Sequence, residues 1–311
     1  LIARDVLREN GIDPNRVTLA VVDRPETTQK LATDPRIASI DYTGGSAFGS
    51  WLLQNARGKQ VYAELSGVNN VVIESTDNYK GMLRNLAFTL SLYSGQMCTT
   101  TKALLVPAGG IDTDQGHKSF DEVAADLGAA IDKFLSDPAT ATAVLGAIQS
   151  PDTLKRIEQA PQAATVVLAS KKLDHPEFPK AEIRTPVVLK ADASNEAAYM
   201  QERFGPISTV VAVPGGADAL AALSERIVRE HGALTVGVYS TDASFIDAMT
   251  AATQRAGVAL SINLTSGVFV NQSAGFSDFH GTGANPAANA SYTDSAFVAS
   301  RFRVIQRRQH V

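Results

Sequence analysis

The chain of 311 residues contains a single cysteine, Cys98. No internal disulfide can form, so packing alone must hold the core. A chain of this length can supply that as one large domain or two ordinary ones. An excess of positive charge is also missing. The formal net charge is -4 and the sequence pI is near 5.8, so there is no general field to draw in nucleic acid or anionic lipid, and neither is expected as a partner. No apolar run approaches the roughly 20 residues that cross a bilayer. The opening "LIARDVLREN" is charged throughout and lacks the apolar heart of a signal peptide. One thiol and no export signal make a reducing cytoplasm the expected compartment. Internal repeats and low-complexity tracts are absent too, and no metal is expected.

What is present reads as an α/β chain, with 44% hydrophobic and 19% charged residues, the balance of a soluble globular protein. Short apolar runs of strand type alternate with amphipathic helical stretches. In the first part, "LIARDVLREN" reads as a helix ending at Gly11, "VTLAVVD" (17–23) as a strand, and "PETTQKLAT" as a helix begun by Pro25. "IASIDYT" (37–43) and "QVYAEL" (60–65) read as strands flanking the helix "SAFGSWLLQNAR". Beyond residue 67 the alternation continues with strands at 69–75, 102–107, 164–170, 185–190, 208–214, 234–240, 259–263 and 267–271. Long helices are expected over 78–93, 118–150, 216–231 and 243–257. Such alternation predicts parallel strands joined by crossover helices. Residues 272–295 break the pattern with Gly, Ser, Asn and Ala, and a long irregular segment of this kind is more often functional than idle.

Four stretches could carry chemistry. Cys98, in "SGQMCTTTKALLVP", is either an inert buried thiol or a nucleophile, and the second role needs a helper because a free thiol is mostly protonated at neutral pH. The histidines at 117, 175, 231, 280 and 310 stand in no context that marks one of them as that helper, so a cysteine hydrolase remains open. Glu64 ends an apolar strand beside a Ser-Gly turn, where a carboxylate is either solvated or desolvated and tuned as a general base. "YTGGSAFG" places Gly44, Gly45 and Gly49 at a strand-to-helix turn, which is either a plain turn or a place where phosphate reaches backbone N–H groups. "ERFGPIS" (202–208) runs charge into a Gly-Pro turn before a strand.

The order and spacing of these stretches resemble the aldehyde dehydrogenase superfamily. "YTGGSAFG" resembles its Phe-Thr-Gly-Ser turn. Glu64-Leu65-Ser66-Gly67 resembles Glu-Leu-Gly-Gly, Gly95-Gln96-Met97-Cys98 resembles Gly-Gln-x-Cys, and Glu202-Arg203-Phe204-Gly205-Pro206 resembles Glu-x-Phe-Gly-Pro. "GVFVN" resembles the Gly-x-x-x-Val-Asn strand. Cys98 follows Glu64 by 34 positions, the separation expected of the family. The resemblance implies the rear part of a Rossmann-type cofactor domain (1–66), a three-layer α/β catalytic domain (67–277) and a tail (278–311) returning to the cofactor and oligomerisation region. It implies Cys98 as nucleophile and Glu64 as the base that activates water, with acid as the product. NAD or NADP would lie along Gly44, Gly45 and Gly49, with Glu202 on the nicotinamide ribose and Phe204 beside the ring. A homo-oligomer is implied for the full-length form.

The tail "FSDFHGTGANPAANASYTD", with Asp278, Phe279, His280, Gly281 and the Asn285-Pro286 pair, looks like the PaaN-type proteins of bacterial phenylacetic acid degradation. That likeness implies a ring-opened semialdehyde carried on coenzyme A as substrate. His280 is then either a solvated loop histidine or a substrate contact. The family's oxyanion asparagine and adenosine-binding lysine have no counterpart, so the chain is expected to be the C-terminal portion of a longer protein and incomplete for catalysis alone. A non-enzymatic remnant, serving as a structural or interaction module, is the alternative expectation.

Overall fold

Apolar runs of period two pair wherever neighbouring runs can complete their backbone hydrogen bonds. The computed structural model describes residues 1–65, 67–265, 267–269, 280–291, 293 and 308. Within them one seven-stranded sheet runs in the order Ala259–Ile262, Thr235–Tyr239, Asn70–Ile73, Ala103–Pro107, Ile207–Val213, Val187–Asp192, Thr165–Leu168. All neighbours are parallel except the last strand, which is antiparallel to Val187–Asp192. Successive residues serve opposite faces. Val71, Ile73, Leu104, Val106 and Val210 pack on one face with the helices Tyr79–Ser91 and Phe120–Phe134. Val72, Ala103, Leu105, Val211 and Val213 pack on the other with Gly216–His231 and Ala243–Ala256. Both faces are covered, as a parallel sheet requires, and the layers are helix, sheet and helix.

The chain divides into two compact units, one of Leu1–Ile40 with Ser50–Val61 and one of Asp41–Gly49 with Tyr62–Val311. The first holds the helices Ile2–Glu9 and Pro25–Thr33. In it the Lys59 ammonium donates to the carbonyls of Asp34 and Ile37, tying residue 59 to the 34–37 turn. The strand expected over 17–23 does not form: Leu19 and Val21 are 84% and 87% exposed. No described strand of this unit lies alongside 17–23, and an apolar run without a ladder partner gains nothing from extending.

Two further expectations change. The helical stretch expected over 118–150 is divided into Phe120–Phe134 and Pro138–Val144. Pro138 has no N–H to continue the ladder, while the Asp137 side chain accepts from the Thr140 N–H and caps the second helix. In the strand expected over 267–271, residues 267–269 carry no strand, and Val270 and Asn271 lie outside the described residues. Ser66, Asp278, Phe279 and most of the 278–311 tail lie outside them too.

The amino ends of three adjacent strands of this sheet collect three of the motifs. Gly67 and Asn69 precede Asn70–Ile73, Cys98 and Lys102 precede Ala103–Pro107, and Glu202 through Pro206 precede Ile207–Val213. These parallel strands start in register, with Asn70 opposite Ala103 and Ala103 opposite Thr209. Close contact there is bought by glycine: the Val68 N–H donates to the Gly232 carbonyl at 2.8 Å, and a Cβ on Gly67 would lie 2.3 Å from that same oxygen. Gly67→Ala is therefore expected to lower stability by about 1–3 kcal/mol through overpacking against backbone. A urea unfolding midpoint unchanged from wild type would contradict this.

Candidate active site

The turn that carries Cys98 is built from backbone that most residues avoid. After the helix Tyr79–Ser91, Tyr93, Ser94 and Gly95 all have positive φ, at 52°, 51° and 61°. Ser94 is held there by donating its hydroxyl to the carbonyls of Gly146 and Arg184, each at 2.9 Å. Gln96 donates to the Ala147 carbonyl at 2.9 Å and accepts from the Gln149 N–H at 2.9 Å. A Cβ on Gly95 would fall 2.6 Å from the Gly205 carbonyl oxygen, so this motif glycine marks where the turn meets the Phe204-Gly205-Pro206 loop.

Asn69 and Lys102 lock this arrangement from below. Asn69 is fully buried, and its amide donates to the Cys98 carbonyl at 2.6 Å and the Thr100 carbonyl at 3.1 Å. Its oxygen accepts from the N–H groups of Leu234 and Thr235. The Lys102 side chain is buried, with Nζ donating to the Gly205 carbonyl at 2.8 Å and to the Gly95 carbonyl at 3.4 Å. The ammonium also lies 5.7 Å from the centre of the Phe204 ring, a cation–π distance. Burial pulls Lys102 down to about 8, opposed by the attraction of Glu202. Arg156 Nε donates to the Phe204 carbonyl at 3.1 Å.

Glu64 lies near the end of the strand Gln60–Leu65. Segment 285–290 docks along this strand: the Leu65 N–H donates to the Ala287 carbonyl at 2.6 Å, and the Ala63 N–H donates to the Asn289 side chain at 2.8 Å. Asn285 fixes the segment to the sheet by donating to the carbonyls of Ala233 and Gly257, each at 2.9 Å. His280 is thereby carried between the two candidate reactive groups. Its Nε2 lies 2.9 Å from Glu64 Oε1 and 3.3 Å from Cys98 Sγ. The histidine is not solvated, contrary to one of its two expected readings. Its side chain is 12% exposed and that of Glu64 19%. His280 is pushed up to about 10, first by its hydrogen bond to Cys98 and then by that to Glu64, while burial works against both.

Glu64 and Cys98 open on a cavity of about 500 Å³ lined also by Thr43, Gly44, Gly45, Leu65, Arg156, Glu202 and Phe204. The sequence-derived candidates Cys98, Glu64, Gly44, Gly45, Glu202 and Phe204 thus converge. Gly49 is set apart: a Cβ there would run into Leu65 Cδ2 at 2.1 Å, so packing accounts for this glycine. A Cβ on Gly44 would meet the Tyr42 ring, whereas one on Gly45 would meet nothing. Sequence reasoning missed Asn69, Lys102 and Arg156. Lys102 left a signal, a lone charge opening the apolar run "ALLVP"; Asn69 and Arg156 left none.

The aldehyde dehydrogenase family model matches residues 1–293. The chain belongs to the aldehyde dehydrogenase family. Its fold follows that of a crystal structure described as an NAD-dependent aldehyde dehydrogenase from Burkholderia multivorans, 52% identical, with a TM-score of 0.94 over 100% of this chain and 56% of that one. Among curated relatives it is 24% identical to aldehyde dehydrogenase family 7 member B4 of Arabidopsis thaliana, over 71% of this chain and 42% of that protein. It is 25% identical to salicylaldehyde dehydrogenase of Pseudomonas sp. (strain C18), over 70% of this chain and 43% of that protein. The chain therefore spans less than half the length of these curated relatives. Among the described residues no helix is long and apolar enough to cross a membrane.

Lys102 generates a pH prediction. Its folded value, about 8, lies below its ordinary 10.5, so between those limits the unfolded chain binds more protons and stability rises with pH. Urea unfolding of wild type and Lys102→Met at pH 7.5 and pH 10 should show wild type gaining relative to the variant at the higher pH. An unchanged or reversed difference would contradict the buried ammonium.

Proposed function

We propose that the protein oxidises an aldehyde to a carboxylic acid by way of a covalent intermediate on Cys98, with NAD or NADP as oxidant. The observation that carries this reading is the convergence of Cys98, Glu64 and the Gly44, Gly45, Glu202 and Phe204 lining on one cavity. Family membership and the 52% identical neighbour described as NAD-dependent support it. The lining fits a dinucleotide's nicotinamide end. Gly45 leaves open space where a side chain would stand, Glu202 offers a carboxylate for ribose hydroxyls, and Phe204 offers a ring face. The first turn of the helix Ser46–Asn55, which holds Gly49, belongs beside the diphosphate, where helix N–H groups favour an anion; Gly49 serves there through its backbone, its missing side chain being required by Leu65. A nicotinamide bound there supplies the hydride acceptor.

The chain's own residues supply the rest. The Cys98 sulfur adds to the aldehyde carbonyl carbon, and the carbonyl electron pair moves to oxygen, where the Cys98 backbone N–H serves as one oxyanion donor. Once the carbon is oxidised, the acyl group is held on sulfur as a thioester. Glu64 takes a proton from water as the water oxygen bonds to the acyl carbon, and the carbon–sulfur bond breaks to release the acid. The presence of Glu64 favours hydrolysis over transfer to coenzyme A. In this reading residues 1–66 are the rear part of the nucleotide-binding domain, 67–277 the catalytic domain and 278–311 the returning tail. A non-enzymatic module has no use for an imidazole in contact with both a carboxylate and a thiol, and is not favoured.

The finer assignment is to a PaaN-type enzyme acting on a coenzyme A-linked semialdehyde from phenylacetate ring opening. The segment His280-Gly281-Thr282-Gly283-Ala284-Asn285-Pro286 supports it, since His280 contacts the reactive pair and Asn285 anchors the segment. The full-length protein is expected to reduce NAD or NADP on addition of aldehyde, and Cys98→Ala to lower the rate by at least about a thousandfold. A coenzyme A-linked semialdehyde should exceed the free semialdehyde in kcat/KM by at least about tenfold, an increment of one modest binding contact. Turnover retained in Cys98→Ala would overturn the mechanism, and equal kcat/KM values would overturn the substrate assignment.

A further inference from the structure

Two hydrogen-bond acceptors face one imidazole nitrogen. His280 Nε2 lies 2.9 Å from a Glu64 carboxylate oxygen and 3.3 Å from the Cys98 sulfur. An ionised carboxylate can only accept. A bare lone pair on Nε2 would therefore oppose the oxygen lone pairs, so the nitrogen must carry hydrogen. That hydrogen is shared with the sulfur; with Nδ1 protonated as well, the proton taken from Cys98 makes the ring a charged donor, which favours the sulfur without its proton. We propose that His280 is a catalytic residue that holds the Cys98 proton on Nε2, between nucleophile and base, and hydrogen-bonds the sulfur whenever it is an anion.

The proposal rests on Cys98 being the nucleophile and adds a step at each end of the reaction. In the resting site the proton that left Cys98 resides on Nε2, so the sulfur attacks without a separate deprotonation. As the carbon–sulfur bond forms, the sulfur loses its negative charge and the Nε2–H turns to Glu64 alone. When water adds to the thioester and the carbon–sulfur bond breaks, the electron pair returns to sulfur and the Nε2–H receives it. No oxidant or reductant is consumed in these proton and hydrogen-bond exchanges. Titratable groups in contact with His280 include Glu64 and Cys98. Among the other groups near the site, Lys102 lies under the loop on the Gly205 carbonyl, and Glu202 and Arg156 line the same cavity.

The test is the rate of Cys98 alkylation by iodoacetamide from pH 6 to 9, in the full-length protein without aldehyde or cofactor. Cys98 is the sole cysteine of this sequence, and peptide mapping assigns the modified site. Wild type should keep an alkylation rate nearly flat across this range. His280→Gln should be slower by at least about tenfold at pH 6 and converge on wild type near pH 9, where an ordinary thiol ionises unaided. His280→Asn, checked with His280→Gln for a wild-type near-ultraviolet circular dichroism spectrum, guards against a folding artefact. If both variants misfold, the wild-type profile decides alone: a tenfold rise per pH unit up to pH 8 overturns the proposal. Folded variants with wild-type profiles overturn it too. A wild type with the flat profile but no aldehyde oxidation would overturn the dehydrogenase reading while supporting the His280–Cys98 pairing.

Discussion

The Asn69 side chain is the contact on which the site depends. Buried at the amino edge of the sheet, it receives two backbone N–H groups from residues 234 and 235 and donates to the carbonyls of Cys98 and Thr100. Its main chain joins in, accepting from the N–H of Lys102 at 2.8 Å. One amide thus satisfies four backbone groups that would otherwise be stranded away from water, each worth about 1 kcal/mol net and more if left unpaired. It also sets the position of the Cys98 backbone relative to the sheet. Without that anchor, a turn with three successive positive φ values would have little reason to hold its shape.

From this anchor the geometry propagates by short links. Lys102 couples the Gly95 turn to the Gly205 loop, and the cost of burying its ammonium is offset by two carbonyls, an aromatic face and the attraction of Glu202. Asn285 performs the matching task for the 280–291 segment, setting His280 against Glu64 and Cys98. Ligand sites of open parallel sheets usually lie outside the carboxyl ends of the strands. Here the candidate reactive residues gather at the amino ends, where the segments entering three adjacent strands bring three of the motifs side by side.

Much of this was legible in the sequence because local pattern dictated it. The strand 60–65 and the helix 216–231 were readable to the residue, since apolar period and glycine punctuation agreed with the final packing. The run 17–23 misled because period alone cannot report whether a partner strand is present, and 118–150 misled because Pro138 interrupts an otherwise helical pattern. In the candidate site, Cys98 and Glu64 were singled out through the family resemblance, and both line one cavity. The identity of the third member was not legible, because His280 lies 182 positions from Cys98 in a segment without periodicity, and only the docking of Ala287 and Asn289 on the 60–65 strand brings it in. Gly49 was legible as a glycine that matters, but its clash with Leu65 is a tertiary fact.

The central claim is that sulfur and carboxylate divide the labour, with Cys98 carrying the acyl group and Glu64 releasing it. The most direct measurement is intact-protein mass spectrometry of Glu64→Gln in the full-length enzyme, quenched in acid after mixing with aldehyde and NAD or NADP. The account predicts a mass increment equal to the oxidised acyl group, mapped to the peptide containing Cys98 and lost when Cys98 is blocked beforehand. An acyl group on another residue, or no adduct while cofactor is still reduced, would contradict it.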